Sequence, residues 1–171
     1  MEFPRLALYL GLLLYCTTPA LAQDILFDDF YFGMPKKEAK KVLSDHHKNL
    51  KEFEMGSGVV YTLKRNSLVL DKGKLVEVKV WTKSNLSLNQ IVSGMKKTRK
   101  HFEGQGYRVV YEQEHWDNPE LLNHNKPCLR LLDPKQTLLL EIEPRGQEGY
   151  YNIYLNYYNL EWFKKKAQQS R

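Results

Sequence analysis

A chain of 171 residues, 42% hydrophobic and 27% charged, is long enough for one domain with its own core. Its net charge of +6 suits anionic or acidic partners, and its two cysteines, Cys16 and Cys128, leave no room for a disulfide framework or a C-x-x-C redox centre. No P-loop, H-E-x-x-H, G-x-S-x-G or dinucleotide fingerprint occurs, so nothing local supports the chemistries those motifs serve.

The first residues have the order of an export signal: Arg5, an apolar run from Leu6 to Tyr15, and Ala20-Leu21-Ala22 before Gln23. The run is too short for a spanning helix, which needs about 20 residues. Lipidation at Cys16 is the rival reading of "LLYC", and the bulky Tyr15 in front of it argues against that signal. The expected organisation is a cleaved signal at 1–22 and a single exported domain at 23–171, periplasmic or secreted, with no transmembrane span. Cleavage removes only Glu2 and Arg5 among the charges, so the domain keeps +6. Cys128, then its lone cysteine, is expected to point inward from a strand as a small apolar residue.

Gly33 and Pro35 mark a turn into a helix, where Pro suits the first position. Ala39, Val42, Leu43 and His46 form its apolar stripe, with Lys36, Lys37, Lys40 and Lys41 opposite. "GVVYTLKR" and "SLVLDKGKLVEVKVWT" read as strands, the second containing a hairpin around Gly73. Val76, Val78 and Val80 alternate there with Glu77, Lys79 and Trp81, which predicts one core face and one polar face. A second helix follows on the stripe Leu88, Ile91, Val92, Met95 and Phe102. Ser87 and Gln90 stand in capping-box register before it, and Gly104 and Gly106 stop it. It carries Lys96, Lys97, Arg99 and Lys100.

Tyr107 to Gln113 alternates as a strand before the polar loop "HWDNPELLNHNKP". Strands resume at Leu129 to Leu132, at Leu138 to Glu143 and in "YYNIYLNYY", and a last helix starts at an Asn159 cap. The order α-βββ-α-ββββ-α predicts an α+β fold, an antiparallel sheet with helices packed on one face. Its two helix-then-strands halves hint at a duplicated unit.

Three groups of residues are candidate sites. Tyr150, Asn152, Tyr154, Asn156 and Tyr158 share one strand face and, with Trp116 in the polar loop, offer rigid aromatic contact area; the competing reading puts the row under a helix as core edge. Lys36, Lys37, Lys40, Lys41, Lys96, Lys97, Arg99 and Lys100 could form a patch for an anionic envelope polymer or acidic protein, or simply solvated helix faces; export argues against nucleic acid. Asp45, His46 and His47 are the most metal-like string, although neighbouring side chains on a helix diverge by about 100°. With His101, His115 and His124 as further donors, a small metal-dependent hydrolase using this string and the 115–124 loop is the alternative to a binding protein. Asp28 and Asp29, taken as extended, point to opposite sides and read as a polar lead-in to the helix.

The stretch "FDDFYFGMPKKEAKKVL", residues 27–43, resembles the opening of small exported bacterial domains such as the assembly lipoprotein BamE and the β-lactamase-inhibitor-like proteins. The shared features are an aromatic lead-in, "FGM" and an apolar-striped helix. The resemblance implies helices on an antiparallel sheet, no catalytic centre and protein–protein contact; the expectation for the chain is no cofactor and an envelope protein or anionic envelope polymer as partner. Pro35 stands where that style has a Ser or Thr cap, so the reciprocal capping bond is missing here.

Overall fold

A computed structural model describes residues 24–169 apart from 57 and 148, so the expected export signal at 1–22 and Cys16 lie outside the described residues. The chain runs β1 (Ile25–Phe27), β2 (Phe30–Tyr31), α1 (Lys36–Lys48), β3 (Glu52–Glu54), β4 (Val60–Thr62), β5 (Leu68–Asp71), β6 (Lys74–Thr82), α2 (Leu88–Gly104), β7 (Arg108–Glu112), β8 (Leu129–Leu132), β9 (Leu138–Gln147), β10 (Tyr150–Asn159) and α3 (Leu160–Gln169). An antiparallel sheet has the order β3-β4-β6-β10-β9-β8-β7, with β5 also on β6, and β1 pairs with β2 as a separate hairpin. This is the α+β class and the element order that the periodicity predicts. The additions, β1, β2 and β3, are two or three residues each, too short for alternation to register.

Local signals act as read. Lys72 and Gly73 take φ of 47° and 77° in the β5–β6 turn, the positive angles a two-residue hairpin loop needs. Ser87 and Gln90 close the capping box at α2, and Asn159 Oδ1 accepts from the Trp162 N–H at the start of α3. Pro35 caps α1 without a side-chain hydrogen bond.

Pair register shows which helix covers which face. Phe53 lies directly opposite Tyr61, so both point to the same side of the sheet. Phe53 meets His46 of α1, while the Tyr61 hydroxyl bonds to Thr98 of α2. Both long helices therefore cover one face, over a core that includes Val78, Val80, Leu140, Ile142, Ile153 and Leu155. Tyr158 points to the other face by alternation, and there its ring meets Trp162 and Phe163 of α3. So α1 and α2 pack on one face as expected, and α3 closes one end of the second.

The second face of β6 is polar but not solvated, which corrects the simple core-and-water alternation. Glu77, Glu141, Glu143 and Trp81 are all buried. Each acid has a partner: Glu77 pairs with Lys79 at 3.4 Å, Glu141 with Arg130 at 2.6 Å and Glu143 with Arg145 at 2.8 Å. The strands are central in the sheet, so long side chains from both neighbours lie over every position. Burial pushes the Glu77 carboxyl upward against the pull of Lys79.

Candidate functional site

The tyrosine row does not form a continuous open surface. Tyr150 is 71% exposed, but Asn156 is 1% exposed and Tyr158 is covered by α3. Asn152 spends its amide on Thr82 and Ser84, donating to carbonyls at 3.2 and 3.1 Å. Tyr154 lies on the Trp81 ring, 4.9 Å away at 14°, with the Arg145 guanidinium 4.8 Å over its own ring. These groups brace the second face: Tyr158 lies under α3, Asn156 is buried, Asn152 and Tyr154 are half-buried among sheet side chains, and Tyr150 is exposed. Trp116, expected as an exposed aromatic of the loop, is 5% exposed. Its indole N–H donates to Glu112 and Arg99 stands over its ring, which ties the loop to α2 and β7.

The basic candidates divide by helix. Lys36, Lys37, Lys40 and Lys41 stand exposed on α1. On α2, Lys96 and Arg99 are engaged: Lys96 pairs with Asp117 at 3.3 Å, and Arg99 with Glu103 at 3.0 Å and Glu112 at 2.8 Å. Lys97 lines a separate cleft beside Gly94 and Lys100 is exposed.

The Asp45-His46-His47 string disperses. Asp45 pairs with Lys48 at 3.7 Å, His47 Nε2 meets the Leu63 carbonyl at 3.2 Å, and His46 turns inward between Phe30 and Phe53. In the 115–124 loop, His115 pairs with Glu114 and His124 packs on Tyr151. Neither joins a set of metal-capable donors among the described residues.

What the fold assembles instead lies where β1, β3 and the end of α2 meet. A groove of about 790 Å³ has a floor of Phe27, Phe53, Phe102, Tyr107, Leu138 and Tyr157. That volume is in the range of small-ligand sites, about 300–1,000 Å³. Phe27 packs edge-on against Phe53 at 4.6 Å and tilted on Tyr157 at 5.0 Å, so the aromatic floor is rigid. Its rim carries Asp24, Asp28, Glu52, Glu54 and Asp133 with Lys135; Asp28 and Glu52 are paired with Lys51 and Lys83, which leaves Asp24, Glu54 and Asp133 as its other acids. Burial raises the Tyr107 and Tyr157 hydroxyls above their ordinary pKa, with Asp133 adding to the shift at Tyr107, so both remain protonated.

At the groove's edge sits a cluster that the sequence reading set aside. Asp28 and Asp29 are not extended; they make the two-residue turn of the β1–β2 hairpin, with Asp28 at φ 48°. That kink brings both carboxylates to one side, which overturns the expectation that they diverge. His46 Nε2 lies 3.3 Å from Asp28 Oδ2 and 3.4 Å from Asp29 Oδ2. Lys51 Nζ pairs with Asp28 Oδ2 and stands 3.6 Å from Asp29 Oδ2. Burial pushes the Asp29 carboxyl up, but the Lys51 ammonium and hydrogen bonding within the cluster leave it below the usual range. A polar pair inserted in an aromatic run, "LFDDFYF", is the signal that could have revealed this turn.

Comparison of the chain with protein-family models, with curated proteins and with solved structures found no match.

Proposed function

We propose that this chain is an exported, non-catalytic binding protein whose groove takes a segment of an envelope protein that combines apolar side chains with lysine or arginine. The observation that carries this reading is the pairing of an aromatic floor with an acidic rim on a chain whose net charge is +6. Apolar side chains gain by leaving water on the floor, at roughly 25 cal/mol per Å² of area removed. Cationic ends meet carboxylates at the rim, while a polyanion is repelled there. The resemblance of residues 27–43 to small exported domains agrees with a contact role, and no helix among the described residues is long and apolar enough to cross a membrane.

Fluorescence anisotropy with two labelled decapeptides tests the proposal, one alternating Leu and Phe with Lys, the other with Glu in place of Lys. The Lys peptide binds with a micromolar Kd that rises with salt, and the Glu peptide does not bind. Phe53→Ala, checked for fold by circular dichroism, weakens the Lys peptide about tenfold, the loss of one aromatic anchor of about 1.4 kcal/mol. Equal binding of both peptides, no binding of the Lys peptide, or unchanged affinity in the folded variant overturns the reading.

A further inference from the structure

His46 is 5% exposed; among the described residues its Nδ1 has no partner, and its Nε2 meets the carboxylates of Asp28 and Asp29 at 3.3 and 3.4 Å. A buried imidazole nitrogen without a partner is costly. Leu or Phe would fill the same space between Phe30 and Phe53 without that cost. What distinguishes the imidazole is its direction, since Nε2 is aimed at two carboxylate oxygens.

Those oxygens and Nε2 lie within 4.8 Å of one another. A tetrahedral ion with bonds of about 2.0–2.2 Å places neighbouring ligand atoms about 3.3–3.6 Å apart. The Nε2-to-oxygen separations of 3.3 and 3.4 Å match that edge length. We propose that Asp28, Asp29 and His46 form a binding site for one divalent transition-metal ion of the zinc type, with the Lys51 ammonium as its built-in competitor.

One imidazole and two carboxylates are a donor set that zinc accepts, and three protein ligands leave a fourth position open. Two carboxylates with a neutral ligating imidazole balance a divalent ion, whereas Lys51 neutralises only one of the two charges. Lys51 contacts the same Oδ2 atoms that the ion would use. Its side chain is 39% exposed, so it can swing into water when displaced. Among the described residues His46 Nδ1 has no acceptor to fix its tautomer, and packing between Phe30 and Phe53 holds the ring on its outer side. The absence of that outer bond points to micromolar rather than tighter affinity. The site adjoins the groove and shares Asp28 with its rim, and titration with the metal alone tests it without the peptide.

Isothermal titration of the 23–171 domain with zinc chloride tests this, with cobalt as a spectroscopic stand-in. The expected result is one ion per chain and cobalt d–d bands of tetrahedral intensity. Asp29→Asn, at an exposed turn where folding is safe, lowers zinc affinity at least tenfold, and His46→Gln does the same. Lys51→Met raises affinity at least tenfold, because the competitor is gone. Failure of the wild-type domain to bind overturns the proposal even if Lys51→Met binds, since the cluster is then an internal ion pair only. Unchanged affinity in Asp29→Asn also overturns it.

Discussion

At the end of α1 the chain turns through Leu50, a branched residue at φ 48° and 82% exposed. The Leu50 N–H bonds to the His47 carbonyl at 3.3 Å and the Lys51 N–H to the His46 carbonyl at 3.1 Å, the paired bonds of a Schellman ending whose left-handed position normally holds Gly. Leu pays the Cβ clash there and buries nothing in return. Leu50→Gly is expected to stabilise the fold by about 0.5–1 kcal/mol, the left-handed strain less the entropy of Gly, seen as a higher urea midpoint at unchanged slope. Asp28 tolerates a similar angle for a different reason, because its carboxylate is used: the kink is what turns it toward His46 and Lys51.

At the scale of elements, α2 fits closely on the sheet. A Cβ on Gly94 would come 2.6 Å from Ile153 Cδ1, so the absence of a side chain lets the helix lie close on β10. Gly inside a helix costs roughly 0.5–1 kcal/mol against Ala, and close packing offsets it. Gly94→Val adds volume where there is none and is expected to cost about 2 kcal/mol in a denaturant titration, in the range for overpacked cores. A smaller loss than that of an exposed helix substitution would mean that α2 can shift away from the sheet. The other α2 signals, the Ser87 cap and the apolar stripe, were legible because they depend on neighbours three or four positions away. The β1–β2 hairpin was not, since two short strands offer no period to read.

Across the whole molecule, the sheet carries two unlike faces, one apolar under α1 and α2 and one built of paired charges and stacked rings, with α3 over one end. Cys128 reports on that assembly. It is fully buried, and burial, with the nearby Glu143, pushes its thiol up to about 12, so almost no thiolate exists at pH 8. In the 23–171 domain, where it is the lone cysteine, labelling by Ellman's reagent is expected to follow the global unfolding curve in urea. Labelling of the native domain at the rate of a free thiol would show that β8 opens independently of the sheet.

Residue spacing by itself determined the helices, the hairpin at Gly73, the caps at Ser87 and Asn159, the inward Cys128 and hence the α+β class. Each of these depends on chemistry within a turn or along one strand, where period and composition are sufficient. Only the tertiary structure decided that Trp116 and most of the tyrosine row are bracing groups, that Glu77, Glu141 and Glu143 are buried in pairs, and that His46 meets Asp28 and Asp29 rather than Asp45 and His47. Those outcomes join residues far apart in the chain. Burial on a sheet's second face depends on which strands are central, and convergence at a site depends on a turn angle that alternation treats as extended.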